Sequence, residues 1–210
     1  MFTQGKPLTK YSRGKGRLPT QIVLHESVTG DRDTTVRVLD GRHLSVHLIV
    51  DRDGSVTQHV PFECAAAHAE GFGHPSEHNE ASIGIEVVNP YYGKEDHDLL
   101  TGWAHKGWYV VPPQVQLEAV WQAILTITKA IPTVPCTFPG NDDRGFRWGR
   151  WWAHEGSTGI MAHHRWAHAD ALFVEHYCWA RSRGFLPDAA YPVTITAAAR
   201  KQPWTLLGDP

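Results

Sequence analysis

The stretch AHHRWAHAD, residues 162–170, places three histidines and one aspartate in nine positions, in a chain that carries 14 histidines among 210 residues. Imidazole and carboxylate are the groups that hold zinc and move protons near neutral pH. A catalytic zinc takes three protein ligands from His, Asp, Glu or Cys and keeps a fourth position for water, and those ligands can be far apart in sequence. Three candidate ligands stand out: His25 at the end of the apolar run QIVL, His163, and Asp170 a short loop later. Glu86, inside the apolar segment SIGIEVVN, is a candidate base, because an acid in such a strand is costly without a partner or a task. No HExxH helix fixes a metal geometry. On residue types alone, a metal site, a polar patch and a histidine-rich helix start all stay open.

The elements that would position these groups follow from periodicity. QIVLHES reads as a buried strand, and SVHLIVDRDGSVTQHVP as a hairpin that turns at Asp53-Gly54, with Val46, Leu48 and Val50 alternating. Between them, DRDTTVRVLDGRH suits a turn and a short helix capped by Asp33 or Thr34. SIGIEVVN is a further strand, and the aromatic stretch 90–112 is expected as loop. PPQVQLEAVWQAILTITKAI predicts an amphipathic helix with Val115, Leu117, Val120, Ile124, Ile127 and Ile131 on its apolar face. A Gly-, Arg- and Trp-rich insert over about 136–159 is expected either as a loop standing proud of the fold or as surface aromatics tucked against the core. GIMAHH is then the last core strand and ADALFVEHYCWARSRGF the closing helix, with Asp170 near its start. Residues 1–20 read as a basic arm, 21–186 as one domain, and 187–210 as a Pro/Ala-rich tail.

Bulk properties narrow the function. A net charge of −2 argues against an electrostatically driven nucleic-acid binder, and the basic arm is expected to be a solvated tail. No apolar run is long enough for a membrane span, and the amino end lacks the apolar centre of a signal peptide. Cys64, Cys136 and Cys178 are odd in number and widely spaced, so they are expected as buried thiols rather than a disulfide framework.

The blocks LHES, SVHLIVDRDG, AAAHAEG, NEASIGIE and AHHRWAHAD occur in the order seen in type-2 N-acetylmuramoyl-L-alanine amidases. The chain resembles that family, which includes phage amidases and peptidoglycan recognition proteins, from Gln21 to Tyr177. The resemblance implies an α/β fold with a central mixed β-sheet flanked by helices. It also implies Zn2+ held by His25, His163 and Asp170, with Glu86 as general base for the attacking water. Where relatives commonly carry a lysine, two positions before the last ligand, this chain has His168, placed to stabilise the oxyanion. Val46 stands where many relatives have tyrosine, and His164 is a replacement ligand if the loop is short. His47, His68, His164 and Asn79 are expected to support the ligands or meet substrate.

The implied substrate is peptidoglycan or a muropeptide, cut between N-acetylmuramic acid and L-alanine. The implied setting is a phage or prophage lysin that acts first in the host cytoplasm and then at the wall. A cytoplasmic muropeptide-recycling amidase, a non-catalytic peptidoglycan-binding module and a metal-stabilised interaction protein are the competing expectations.

Overall fold

Two six-residue segments, Gln21–Glu26 and Ser82–Val87, are buried at every position. Apolar runs without polar alternation belong in strands covered on both faces, and such strands pair in parallel. The computed structural model describes residues 2–12, 14, 16–27, 29–69, 77–89, 95–98, 102–105, 112–141, 146, 157–165 and 171–185.

In chain order the elements are β1 (Thr3–Gln4), β2 (Tyr11–Ser12), β3 (Gln21–Glu26), α1 (Arg32–Gly41), β4 (Leu48–Val50), β5 (Val56–Gln58) and β6 (Ala65–Ala66). They continue as α2 (Glu77–Ala81), β7 (Ser82–Val87), β8 (Glu95–Asp98), β9 (Gly102–His105), α3 (Gln114–Ala130), β10 (Gly159–Ala162), a 3₁₀ turn (His163–Arg165) and α4 (Leu172–Ser182). Six strands form one sheet in the order β1-β5-β4-β7-β3-β10. Strands β4, β7, β3 and β10 run parallel, β5 is antiparallel to β4, and β1 is parallel to β5. The expected mixed sheet flanked by helices is therefore the observed architecture.

Side chains alternate across a sheet, so each lateral row of paired residues shares one face. The row Leu48, Ile85, Leu24, Ala162 points into the main core. There it meets Leu117, Val120, Ile124 and Ile127 of α3 and Leu172, Phe173 and Tyr177 of α4. On the opposite face a smaller cluster joins Ile49, Val60 and Val88 to Val36 and Leu39 of α1. The histidines of interest lie on that second face, beside this smaller cluster.

Several expectations shift in detail. The cap of α1 is Asp31, not Asp33 or Thr34: its extended backbone lets the carboxylate fold back to accept the Thr34 N–H at 2.7 Å. The β4–β5 hairpin forms as expected, and Gly54 takes φ +84° in its turn. Helix α3 buries Gln116 completely and leaves Val115 55% exposed. Its first turn overlies strand ends, where the Gln116 amide donates to Val50 O at 3.0 Å and Val88 O at 2.8 Å. Cys64 and Cys178 are buried thiols, whereas Cys136 is exposed.

The basic arm is woven into the fold instead of standing free. Leu8 is wholly buried, β1 pairs with β5, and β2 pairs with β6. Within 90–112, β8 and β9 form an antiparallel pair where only loop was expected. Of the Trp-rich insert, Phe138 is buried in the main core, while 142–145 and 147–156 lie outside the described residues. The tail from 187 also lies outside them. No helix among the described residues is long and apolar enough to cross a membrane.

Candidate active site

Strand register settles which chemistry-bearing side chains meet. His25 of β3 pairs with Glu86 of β7, and Glu86 in turn with Ile49 of β4. This row lies one residue beyond the apolar row that faces α3 and α4, so its side chains leave by the opposite face. Because β10 ends at Ala162 opposite Leu24, the next residue, His163, comes up beside His25. Their rings lie 4.6 Å apart between centroids, tilted by 54°. His25, Glu86 and His163 are 5%, 7% and 3% exposed, so water has little access to compete for them.

Behind His25 stands His68, which the sequence suggested as support for the ligands or as a contact to substrate. Its Nδ1 is 3.0 Å from His25 Nε2, and its Nε2 is 3.2 Å from Ser82 Oγ. Proton positions follow along this chain. The Ser82 hydroxyl donates to the His78 carbonyl, so Ser82 Oγ accepts from His68 Nε2–H. His68 Nδ1 is then the acceptor, and His25 must donate to it from Nε2. That tautomer puts the His25 lone pair on Nδ1. A metal-binding histidine characteristically presents one nitrogen while the other donates to a fixed partner.

The glycine of SIGIE makes room for this arrangement. A Cβ on Gly84 would come within 2.8 Å of His68 Cγ and Nδ1, so a bare strand is needed beneath the ring. Asn79 holds the backbone on the other side, its Oδ1 accepting from His68 N at 2.9 Å and Ala69 N at 2.7 Å. His47 is also fixed: its Nδ1 accepts from Gly84 N at 2.9 Å and its Nε2 donates to Cys64 O at 2.9 Å. Both of its nitrogens are thereby committed to backbone groups, which makes His47 a strut between β4, β7 and the segment before β6.

The structure thus brings together His25, Glu86, His163, His68, His47 and Asn79. His168 and Asp170 lie outside the described residues, as does the side chain of His164. Among the described residues no group of three or more His, Cys, Asp or Glu forms a complete metal site. The described donor set nonetheless suits zinc: two adjacent imidazoles, one with its basic nitrogen fixed, next to a strand carboxylate. Sequence reasoning missed Ser82 and the purpose of Gly84, although both sit in the quoted SIGIE block. His176 belongs to another environment, where burial pushes its pKa down to about 4 and keeps it neutral. A cavity of about 410 Å³ opens over β1 and β5, lined by Lys6, Arg32, Arg37 and His59 among others, and is separate from the histidine cluster.

The family described as N-acetylmuramoyl-L-alanine amidase matches residues 15–171, and the chain belongs to that family. No match to the sequence is found among curated proteins. Among solved structures, the Staphylococcus aureus hydrolase AmiA superposes with a TM-score of 0.51 at 12% identity, over 88% of this chain and 85% of that one. The catalytic domain of XlyA gives 0.47 at 16% identity, over 79% and 86% of the two chains. The amidase LysC of Clostridium intestinale gives 0.44 at 16% identity, over 63% and 77%.

Proposed function

We propose that this protein hydrolyses the amide between the lactyl group of N-acetylmuramic acid and the L-alanine of the peptidoglycan stem, with zinc as its cofactor. The observation that carries the reading is the register that sets Glu86 beside His25 while His163 rises next to them on the same face. Family membership supports the same bond class. His25 and His163 would hold the zinc, with Asp170 as the third ligand. Zinc, when bound, polarises the scissile carbonyl and makes water acidic enough to attack at neutral pH.

The protein's own residues supply the rest. The Glu86 carboxylate accepts the proton of the attacking water and returns it to the departing alanine nitrogen, so the leaving group departs as a neutral amine. Low exposure around Glu86 strengthens its interaction with developing charge, because fewer waters screen it. His68 and Ser82 keep the His25 proton on Nε2, and Asn79 keeps His68 in place. His168 occupies the sequence position from which an oxyanion would be stabilised.

Mass spectrometry of digested sacculi, with and without chelator, tests the proposal. New L-alanine amino termini that vanish on chelation and return with zinc are the expected result. Glu86→Gln should remove at least about 99% of turnover, in line with general-base contributions of 10²-fold or more, while zinc stays bound. Binding of sacculi without any cleavage would instead make this a recognition module. As the biological setting we propose a phage or prophage lysin, checked by whether host cells lyse when the protein is expressed with a holin.

A further inference from the structure

Glu175 of α4 is wholly buried and Arg165, at the end of the 3₁₀ turn, is 1% exposed. The two form a forked pair, with Arg165 Nη2 to Glu175 Oε1 at 2.6 Å and Arg165 Nε to Oε2 at 2.9 Å. The same carboxylate accepts the Ala162 N–H at 2.8 Å on Oε2 and the Asn141 amide at 3.0 Å on Oε1. One side chain therefore ties together the last residue of β10, the third residue of the turn and the segment after α3. His163 lies between the two tied residues, Ala162 and Arg165.

A buried ion pair is a poor source of stability, since desolvation offsets most of the attraction. What a planar fork provides is direction: it fixes the guanidinium plane, and with it the pitch of the turn. Arg165 is held from a second side too, its guanidinium 5.1 Å from the Phe146 ring centre. β10 is an edge strand, so the Ala162 N–H is satisfied by this carboxylate and not by a neighbouring strand.

We infer that Glu175, acting through Arg165 and the Ala162 N–H, is the positioning residue that sets His163 against His25. The consequence for metal affinity rests on the zinc reading above; the placement of the turn does not. Two variants separate geometry from stability. Arg165→Met with Glu175→Gln removes both charges and keeps an amide oxygen for the Ala162 N–H. Arg165→Lys keeps the charge pair and loses the fork.

In the metal-free protein both should keep a urea midpoint close to that of the parent, while amide exchange over 162–165 speeds up about 10-fold or more and exchange over β3 does not. Zinc affinity, read by competition with a chromophoric chelator, should fall about 10- to 100-fold, the range seen when partners that orient ligands are lost. Unchanged exchange at 162–165, or exchange that rises equally in β3, overturns the inference. So does faster exchange with undiminished zinc affinity. If exchange rises at the turn alone and the parent protein binds no zinc, the placement by Glu175 stands and the metal reading falls.

Discussion

Ser82 is two hydrogen bonds away from His25, yet its hydroxyl decides which nitrogen of that ring carries the proton. Ser82→Ala removes the acceptor for His68 Nε2–H, after which the His68 proton can move to Nδ1 and oppose the His25 donor. Zinc affinity should then drop about 10-fold with little change in fold, measurable by chelator competition and by the ¹⁵N shifts of the His25 ring. Gly84→Ala is the steric counterpart. Its methyl group would strike the His68 ring, so a loss of about 1–3 kcal/mol in urea unfolding is expected, with zinc affinity reduced as well. Residue types alone left His25, Glu86 and His163 open to several readings, and it was the order of the family-like blocks that singled them out; that the three come together follows from strand register, which no local pattern shows. Gly84 was not legible, since its reason is a ring contributed by another segment that crosses above it. The tie from Glu175 to Arg165 was hidden for the same reason: an acid within a helix gives no sign that it faces inward.

The first turn of α3 shows how an element is placed by polar needs as well as apolar ones. Periodicity put Val115 inside, but the sheet presents two carbonyls there, Val50 O and Val88 O, and Gln116 turns in to meet them. Gln116→Leu would leave both acceptors buried without that donor. A destabilisation of about 1–3 kcal/mol, seen as a lower urea midpoint, is expected. The existence of β3, β4, β7, β10, α3 and α4 was readable because each carries an apolar pattern, whereas β8 and β9 formed in a stretch that reads as loop. Element edges were less so, as Asp31 shows: several residues near the start of α1 can cap it, and backbone direction selects among them. The short strands of the amino-terminal arm carry no pattern at all, being two residues each and held by partners distant in sequence.

Across the whole molecule, acid and metal should act on different properties. His176, packed against Phe146 and Trp179, has its folded pKa lowered by burial from 6.5 to about 4. The fold favours the neutral ring, so protonation favours the unfolded chain. Stability is complete above pH 6.5, declines as pH falls from 6.5 toward 4, and loses nothing further to this group below that. The difference corresponds to roughly 3 kcal/mol, and His176→Phe should flatten the urea midpoint across that window. Chelation, by contrast, should abolish cleavage of sacculi while leaving the far-ultraviolet circular dichroism unchanged, since the two cores close without metal ligands. The pairing of β1 with β5 carries a further consequence. Those few backbone bonds, Gly5 N to Gln58 O at 2.8 Å among them, cover the open side of β5. Deleting residues 2–8 would expose that strand as a template for a second molecule, and the truncated protein is expected to scatter light at concentrations where the full chain stays clear.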